Sequence, residues 1–127
     1  MTLVDTDVLV WYVRGNSRAA AALNRLESIA VSAVTYIELV QGVRSKRELE
    51  ALRSTLAALD ARILQIDELA SAKAMFYVEQ HYHSHSLRLA DALIAATAAG
   101  AGVALLTGNA RHYAPVTELD IRRFRPA

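Results

Sequence analysis

Residues 2–13 read TLVDTDVLVWYV, and they carry the strongest indication of fold class. Their opening is a short apolar run, which predicts a buried strand ending at Asp5. The next apolar run, at residues 8–13, stops at Gly15 and predicts a short helix followed by a turn. A strand that leads directly into a helix is the repeating unit of parallel α/β sheets.

The same alternation continues along the chain. Further apolar strands are predicted at residues 28–32, 62–66 and 103–106, with an edge strand near 119–121. Helices are predicted between them, capped by Ser17, Ser45 and Asp67 or spanning residues 33–41 and 87–99, the last ending at Gly100. We therefore expect an α/β three-layer sandwich, in which helices flank a central, mainly parallel sheet of four to five strands.

Length and composition bound the class of protein. The chain has 127 residues, which predicts one domain spanning residues 1–127. It has no cysteine, which excludes disulfides and thiolate zinc sites and suits the cytoplasm. Acidic residues in the opening segment argue against a signal peptide, and glycines interrupt the uncharged residues 92–110. We expect a cytoplasmic protein without a membrane span.

Acidic side chains fall where neighbouring strands and helices meet. Asp5 ends the first predicted strand, Glu38 lies in the helix after the second, and Asp91 lies in the helix before the fourth. Asn109 follows the fourth strand. Because parallel sheets hold their sites at the carboxyl ends of the strands, we expect these residues to converge. Taken singly, each acid could have a purely structural role. Asp5 could cap a helix, Glu38 could form an ion pair with a basic side chain, and Asp91 could be favoured by the helix dipole near an N-terminus.

The surroundings of these acids indicate a metal site. Asp5, Glu38 and Asp91 each follow or interrupt apolar residues, and carboxylates buried together repel one another. A hard divalent cation relieves that repulsion, and oxygen ligands suit Mg²⁺, with Mn²⁺ as a substitute, rather than zinc. Such a site can activate a water molecule for phosphodiester hydrolysis. The net charge is +1, and outside the acidic site basic residues predominate, which suits a polyanionic substrate.

Four segments together resemble the PIN domain family, and VapC-type toxin ribonucleases in particular. They read LVDTDVLVWY at 3–12, TYIELVQG at 35–42, LADALIAATA at 89–98 and LLTGNARHY at 105–113. Their order and spacing match over essentially the whole chain. The resemblance implies a metal-dependent endoribonuclease that is the toxin of a toxin–antitoxin pair. It also implies an RNA substrate, a cognate antitoxin protein and a homodimer.

The resemblance also assigns roles to individual residues. Asp5, Glu38 and Asp91 would be the metal-binding and catalytic acids. Asn109 stands at the fourth catalytic position, where many members have Asp, and would orient a water molecule or a carboxylate. Supporting roles fall to residues beside these motif positions: Thr6, Asp7, Thr107, Arg111 and His112. The two threonines would hydrogen-bond waters or carboxylates, Asp7 would support the site or cap the helix, and the last two would contact the substrate backbone.

Two other functions remain open from the sequence. The segment Asp5-Thr6-Asp7 also resembles the nucleophile motif of haloacid-dehalogenase-type phosphatases, in which Asp5 would form an aspartyl phosphate. That family needs a downstream lysine and a late acidic pair, whereas the lysines here are Lys46 and Lys73 and no late Asp-Asp pair occurs. The other alternative is a non-catalytic RNA-binding module, for which metal would be irrelevant.

Overall fold

A computed structural model describes residues 1–84 and 86–127. Within them, five strands form one sheet: β1 Thr2–Val4, β2 Ile29–Ser32, β3 Arg62–Leu64, β4 Ala104–Thr107 and β5 Ile121–Arg123. Their order is β3-β2-β1-β4-β5, and each neighbouring pair is parallel. The predicted parallel sheet is confirmed, with β1 at its centre.

The helices lie between the strands along the chain. In the described ranges they are α1 Thr6–Val13, α2 Ser17–Asn24, α3 Ala33–Gln41, α4 Lys46–Ala58, α5 Glu68–Gln80, α6 Leu89–Ala101 and α7 Ala110–Tyr113. None of them is long and apolar enough to cross a membrane.

Alternation along the strands divides the core into two layers. Leu3 and Leu105 point to one side of the sheet, where they pack with α5 and α6. Their neighbours Val4 and Leu106 point to the other side, where they pack with α1, α2 and α4. Successive side chains of a strand face opposite ways, so a sheet that is apolar on both faces requires helices on both. The three-layer sandwich is thus confirmed.

The end of α6 differs from the prediction. The helix continues through Gly100 to Ala101 and is capped by Gly102, which has a φ of 66° and adopts the left-handed conformation. Glycine adopts this conformation without the steric cost that a Cβ imposes, so it is favoured just beyond a helix. Gly100 is accommodated inside the helix, and the expectation that α6 ends there was wrong.

Four smaller differences have local causes. The cap of α2 is Asn16, whose side chain accepts a hydrogen bond from Ala19 N at 2.9 Å, so Ser17 is the first helical residue and not the cap. The edge strand β5 begins at Ile121, later than expected, and α7 was not predicted because four residues show no periodicity. Strand β3 is exposed rather than buried on both faces, because it lies at the sheet edge.

The polar segment after α5 contains alternating histidines. His81 and His83 lie in the turn that follows the helix, and His85 lies outside the described residues. The sequence favours an exposed loop here over a transition-metal site.

The two glycines at the end of α6 should respond oppositely to alanine. Gly100→Ala should stabilise the fold by up to about 1 kcal/mol, because alanine is the better helix former and its Cβ would meet Leu69 Cδ2 at an ordinary 3.6 Å. Gly102→Ala should destabilise it by about 1 kcal/mol, because of its positive φ. Urea denaturation of both variants measures the difference. Equal effects would contradict the assigned helix end.

Candidate active site

Asp5 is buried at the carboxyl end of the central strand. Its side chain is 5% exposed and caps α1, with Oδ1 accepting a hydrogen bond from Thr6 N at 2.8 Å. Its Oδ2 accepts from Thr107 Oγ1 at 2.7 Å and from the Tyr113 hydroxyl at 3.0 Å. Asp5 does cap a helix, as the sequence allowed, but its second oxygen is held by residues from the other side of β1.

Neutral donors alone surround this carboxylate. In the described part of the chain, no lysine or arginine forms an ion pair with Asp5. Burial raises the pKa of Asp5, its hydrogen bonds from Thr107, Thr6 and Tyr113 lower it, and the charge of Asp91 raises it further. Burial and Asp91 therefore disfavour the ionised form of Asp5, and no basic side chain of the described residues offsets that cost.

Asp7 adds a second carboxylate, two residues after Asp5 and in the first turn of α1. Its Oδ2 accepts a hydrogen bond from Gly108 N at 2.9 Å, which ties the helix to the turn after β4. A Cβ at position 108 would overlap that oxygen, so the close approach requires glycine. The other oxygen, Oδ1, is buried and has no hydrogen-bond partner within the described chain. Burial and the charge of Asp5 raise the pKa of Asp7 to about 6.

Asp91 approaches the same point from the first turn of α6. Its Oδ2 accepts a hydrogen bond from Arg88 N at 3.1 Å, and its Oδ1 lies 3.9 Å from His112 Nδ1. The phenol of Tyr113 is fully buried, and its pKa is raised by burial and by the charges of three acids: Asp5, Asp91 and Asp7. Three carboxylates therefore act on one buried hydroxyl, as expected if they share one region of the fold.

Glu38 reaches the site through Thr6. Glu38 is exposed on α3, and its Oε1 accepts a hydrogen bond from Thr6 Oγ1 at 2.7 Å. The same hydroxyl lies 3.0 Å from the Oγ1 of Thr35, which is fully buried. Because Thr6 also donates its backbone N–H to Asp5, it connects the two acids. Sequence reasoning missed Thr35, although it lies one helical turn before Glu38 in the second motif.

The predicted ligands fit a cation in chemistry more closely than in arrangement. Among residues 1–84 and 86–127, no three acidic or histidine side chains lie close enough together to hold a metal ion. Glu38 is connected to Asp5 through Thr6, whereas Asp91 acts on Asp5 through its charge. The donors are nonetheless all oxygens, Asp5 is buried without a basic partner among the described residues, and within the same residues Asp7 Oδ1 lacks a hydrogen-bond partner. A hard divalent cation is the group that this chemistry fits.

The remaining predicted residues lie in the turn after β4 and on α7. Asn109 is exposed and donates its backbone N–H to Thr107 Oγ1 at 2.9 Å. Arg111 and His112 are exposed on α7. They line a cavity of about 290 Å³ together with residues that the sequence did not single out, Arg123 and Arg125. No local motif marks these two arginines, since they follow the four matched segments.

The raised pKa of Asp7 predicts that the stability of the fold depends on pH. The folded pKa of about 6 exceeds the ordinary 3.8, so the contribution of the protonated carboxyl is fully present below pH 4 and is lost as pH rises through 6. In EDTA, Asp7→Asn should match the wild type near pH 4 and exceed it at pH 7.5 by about 1 kcal/mol, a value reduced for partial exposure. Denaturant titrations at several pH values test this. A stability difference that does not change with pH would contradict it.

Known proteins resemble this chain in both sequence and fold. The sequence model of the PIN domain matches residues 2–116. Ribonuclease VapC19 from Mycobacterium tuberculosis is 34% identical over 126 residues, covering 94% of this chain and 98% of that protein. FitAcB from Neisseria gonorrhoeae superposes with a TM-score of 0.74 at 26% identity, over 99% and 98% of the two chains.

A further solved structure supports the fold alone. VapBC-1 from nontypeable Haemophilus influenzae superposes with a TM-score of 0.82 at 17% identity, over 96% of each chain. The family match spans most of the chain, and the strand-end acids lie within the matched range. The chain therefore belongs to the PIN domain family.

Proposed function

We propose that this chain is a metal-dependent endoribonuclease and the toxin of a toxin–antitoxin pair. The observation that carries the proposal is the grouping of the buried Asp5 with the half-buried Asp7 and Asp91 around the Tyr113 hydroxyl, at the carboxyl end of the central strands. Membership in the PIN domain family and the 34% identity to a protein named as a ribonuclease support it. The substrate would be RNA, hydrolysed in the cytoplasm, which suits a chain without cysteine.

The proposed ligands of the cation are Asp5, Asp91 and Glu38, with Mg²⁺ as the cofactor and Mn²⁺ as a substitute. When bound, the cation would supply positive charge to the phosphodiester and acidify a water molecule. Binding the three acids to one ion requires Glu38 to shift, and its exposure on α3 leaves room for that.

The other residues would orient these ligands and the substrate. Thr107 and Tyr113 hold the Asp5 carboxylate in one orientation through hydrogen bonds to the same oxygen. Thr6 holds Glu38, and Asp7 fixes the turn that carries Asn109. Asn109 cannot act as a base because its amide does not titrate, so we assign it the orientation of water or substrate.

The partner proteins follow from the solved relatives. Structures with this fold are described as toxin–antitoxin complexes, including one from Klebsiella pneumoniae with a TM-score of 0.78. In this chain, an apolar groove between α1, α3 and α4 runs beside Glu38 and is lined by Val10, Val13 and Leu39. We assign the antitoxin to this groove, and we propose that the toxin is a homodimer.

The phosphatase alternative is not favoured by the site. An aspartyl-phosphate enzyme of that type needs a lysine near its nucleophile, and in the described part of the chain no lysine or arginine forms an ion pair with Asp5. Lys73, one of two lysines in the chain, lies on α5 and forms an ion pair with Glu118 at 3.5 Å rather than with Asp5. The RNA-binding alternative is separated by experiment, since such a module would bind RNA without cutting it.

Cleavage should depend on Asp91 and on a divalent cation. Wild type should cut single-stranded RNA in Mg²⁺ or Mn²⁺ and stop in EDTA. Asp91→Asn should lower the rate by about 100-fold or more, because the amide is a weak ligand for a hard cation. Gel analysis of labelled transcripts measures the rate. The variant should remain folded, since an amide oxygen can still accept from Arg88 N.

The matched control is Asp60→Asn. Asp60 is an exposed residue with a φ of 50°, a conformation that asparagine accepts, so this change should leave both stability and cleavage intact. Normal cleavage by Asp91→Asn would refute the site assignment. Tight RNA binding without any cleavage in either cation would favour the non-catalytic module.

A further inference from the structure

We propose that the cavity between α7 and the C-terminal strand is a subsite for the phosphate backbone of single-stranded RNA, held by Arg123 and Arg125. The inference rests on the proposed ribonuclease function and adds the path of the substrate strand beyond the carboxylates. The cavity measures about 290 Å³ and is open to solvent beside Asn109 and Arg111.

The cavity adjoins the carboxylates through Thr107, Gly108 and His112, since Gly108 N donates to Asp7 and His112 Nδ1 lies 3.9 Å from Asp91. Thr107 lines the cavity, and its hydroxyl donates to Asp5 at 2.7 Å. In the parallel pairing of β4 with β5, Thr107 is the partner of Arg123. The arginine is therefore placed one strand away from the residue that orients the central acid. An RNA strand cut at the carboxylates would enter this cavity with the phosphates that flank the scissile bond.

The backbone that carries the arginines is anchored by hydrogen bonds at Phe124 and Pro126. Phe124, between them, is 6% exposed, and its N–H donates to Thr107 O at 2.9 Å. The carbonyl of Pro126 accepts a hydrogen bond from Asn16 Nδ2 at 3.1 Å, which connects the C-terminal segment to the start of α2. Anchored backbone limits the conformational entropy lost when the arginines bind a ligand, so they are suited to recognition.

The guanidinium groups of the cavity are free to bind an anion. In the described part of the chain, Arg111, Arg123 and Arg125 form no ion pair, whereas their neighbour Arg122 binds Asp120 through two nitrogens at 3.1 and 3.0 Å. Guanidinium groups match phosphate oxygens with paired hydrogen bonds. The arginines lie beside acids that would repel any polyanion, so the ligand must gain something else at this site. We favour a nucleic acid strand over an acidic peptide, because only the strand carries the bond that the carboxylates would cut.

The first test measures RNA binding without cleavage. Fluorescence anisotropy in EDTA would use a labelled, mixed-sequence oligoribonucleotide of about 12 nucleotides. The double variant Arg123→Ala/Arg125→Ala should raise Kd about tenfold and reduce the slope of log K against log salt by about 1.4, since each lost phosphate contact accounts for about 0.7. The charge-matched control Arg62→Ala/Arg122→Ala, at the far sheet edge and in the ion pair, should stay within about twofold.

The second test separates binding from chemistry in Mg²⁺. The double variant should raise KM about tenfold and change kcat by less than about twofold, because a flanking contact binds ground state and transition state alike. Circular dichroism checks that each variant folds, and the single variant Arg125→Ala, outside the sheet, provides a milder change.

The outcomes distinguish this inference from the proposed function. Cleavage by the wild type with equal KM in the arginine and control variants would overturn the subsite and leave the ribonuclease intact. Loss of RNA binding in the arginine variant, in a protein that never cuts RNA, would support the subsite and refute the ribonuclease. Displacement of the RNA by a glutamate-rich peptide at equal concentration would overturn the assignment to nucleic acid.

Discussion

The burial of the Asp5 carboxylate at the end of β1 is the constraint on which the site depends. A buried carboxylate must have its oxygens satisfied by hydrogen bonds, and here the donors come from α1, β4 and α7. These elements are distant in sequence, and the contact between Tyr113 and Asp5 spans 108 residues. Forming the site therefore requires the central strands and the final helix to be in place.

All three donors to Asp5 are neutral, which has a chemical consequence. A lysine or arginine beside Asp5 would stabilise the ionised form within the protein alone and leave less affinity for an external cation. Hydroxyl and amide donors orient the oxygens but leave the charge, and Asp7 and Asp91 increase it. The fold thus retains electrostatic repulsion at one place, as is common at functional sites, and we propose that a bound cation relieves it.

The sequence was sufficient for the architecture and for the proximity of Asp5 and Asp91, whereas the roles of these acids stay a prediction. Alternating apolar strands and helices predicted the parallel sheet, and the strand-end rule brought Asp5 and Asp91 to one region. Glu38 was expected to join them directly, but it is linked through Thr6, because its exposed position on α3 is set by helix packing that periodicity does not resolve.

The residues that sequence reasoning missed act across long distances. Tyr113 lies at the end of the fourth motif, yet its bond to Asp5 depends on the direction of a four-residue helix that shows no pattern. Arg123 and Arg125 gain their position from the register of β5 on β4, which a short edge strand does not encode by itself. Gly100 and Gly102 are both plausible helix ends by composition, and only backbone conformation distinguishes them.

Our central proposal is that the buried Asp5 and the carboxylates beside it bind a divalent cation. Crystals soaked in Mn²⁺, with diffraction data recorded at the manganese absorption edge, test it most directly. The account predicts an anomalous peak within bonding distance of an Asp5 oxygen, about 2.2 Å, with Asp91 contributing a further ligand directly or through water. A peak confined to surface groups, or none at saturating Mn²⁺, would contradict it.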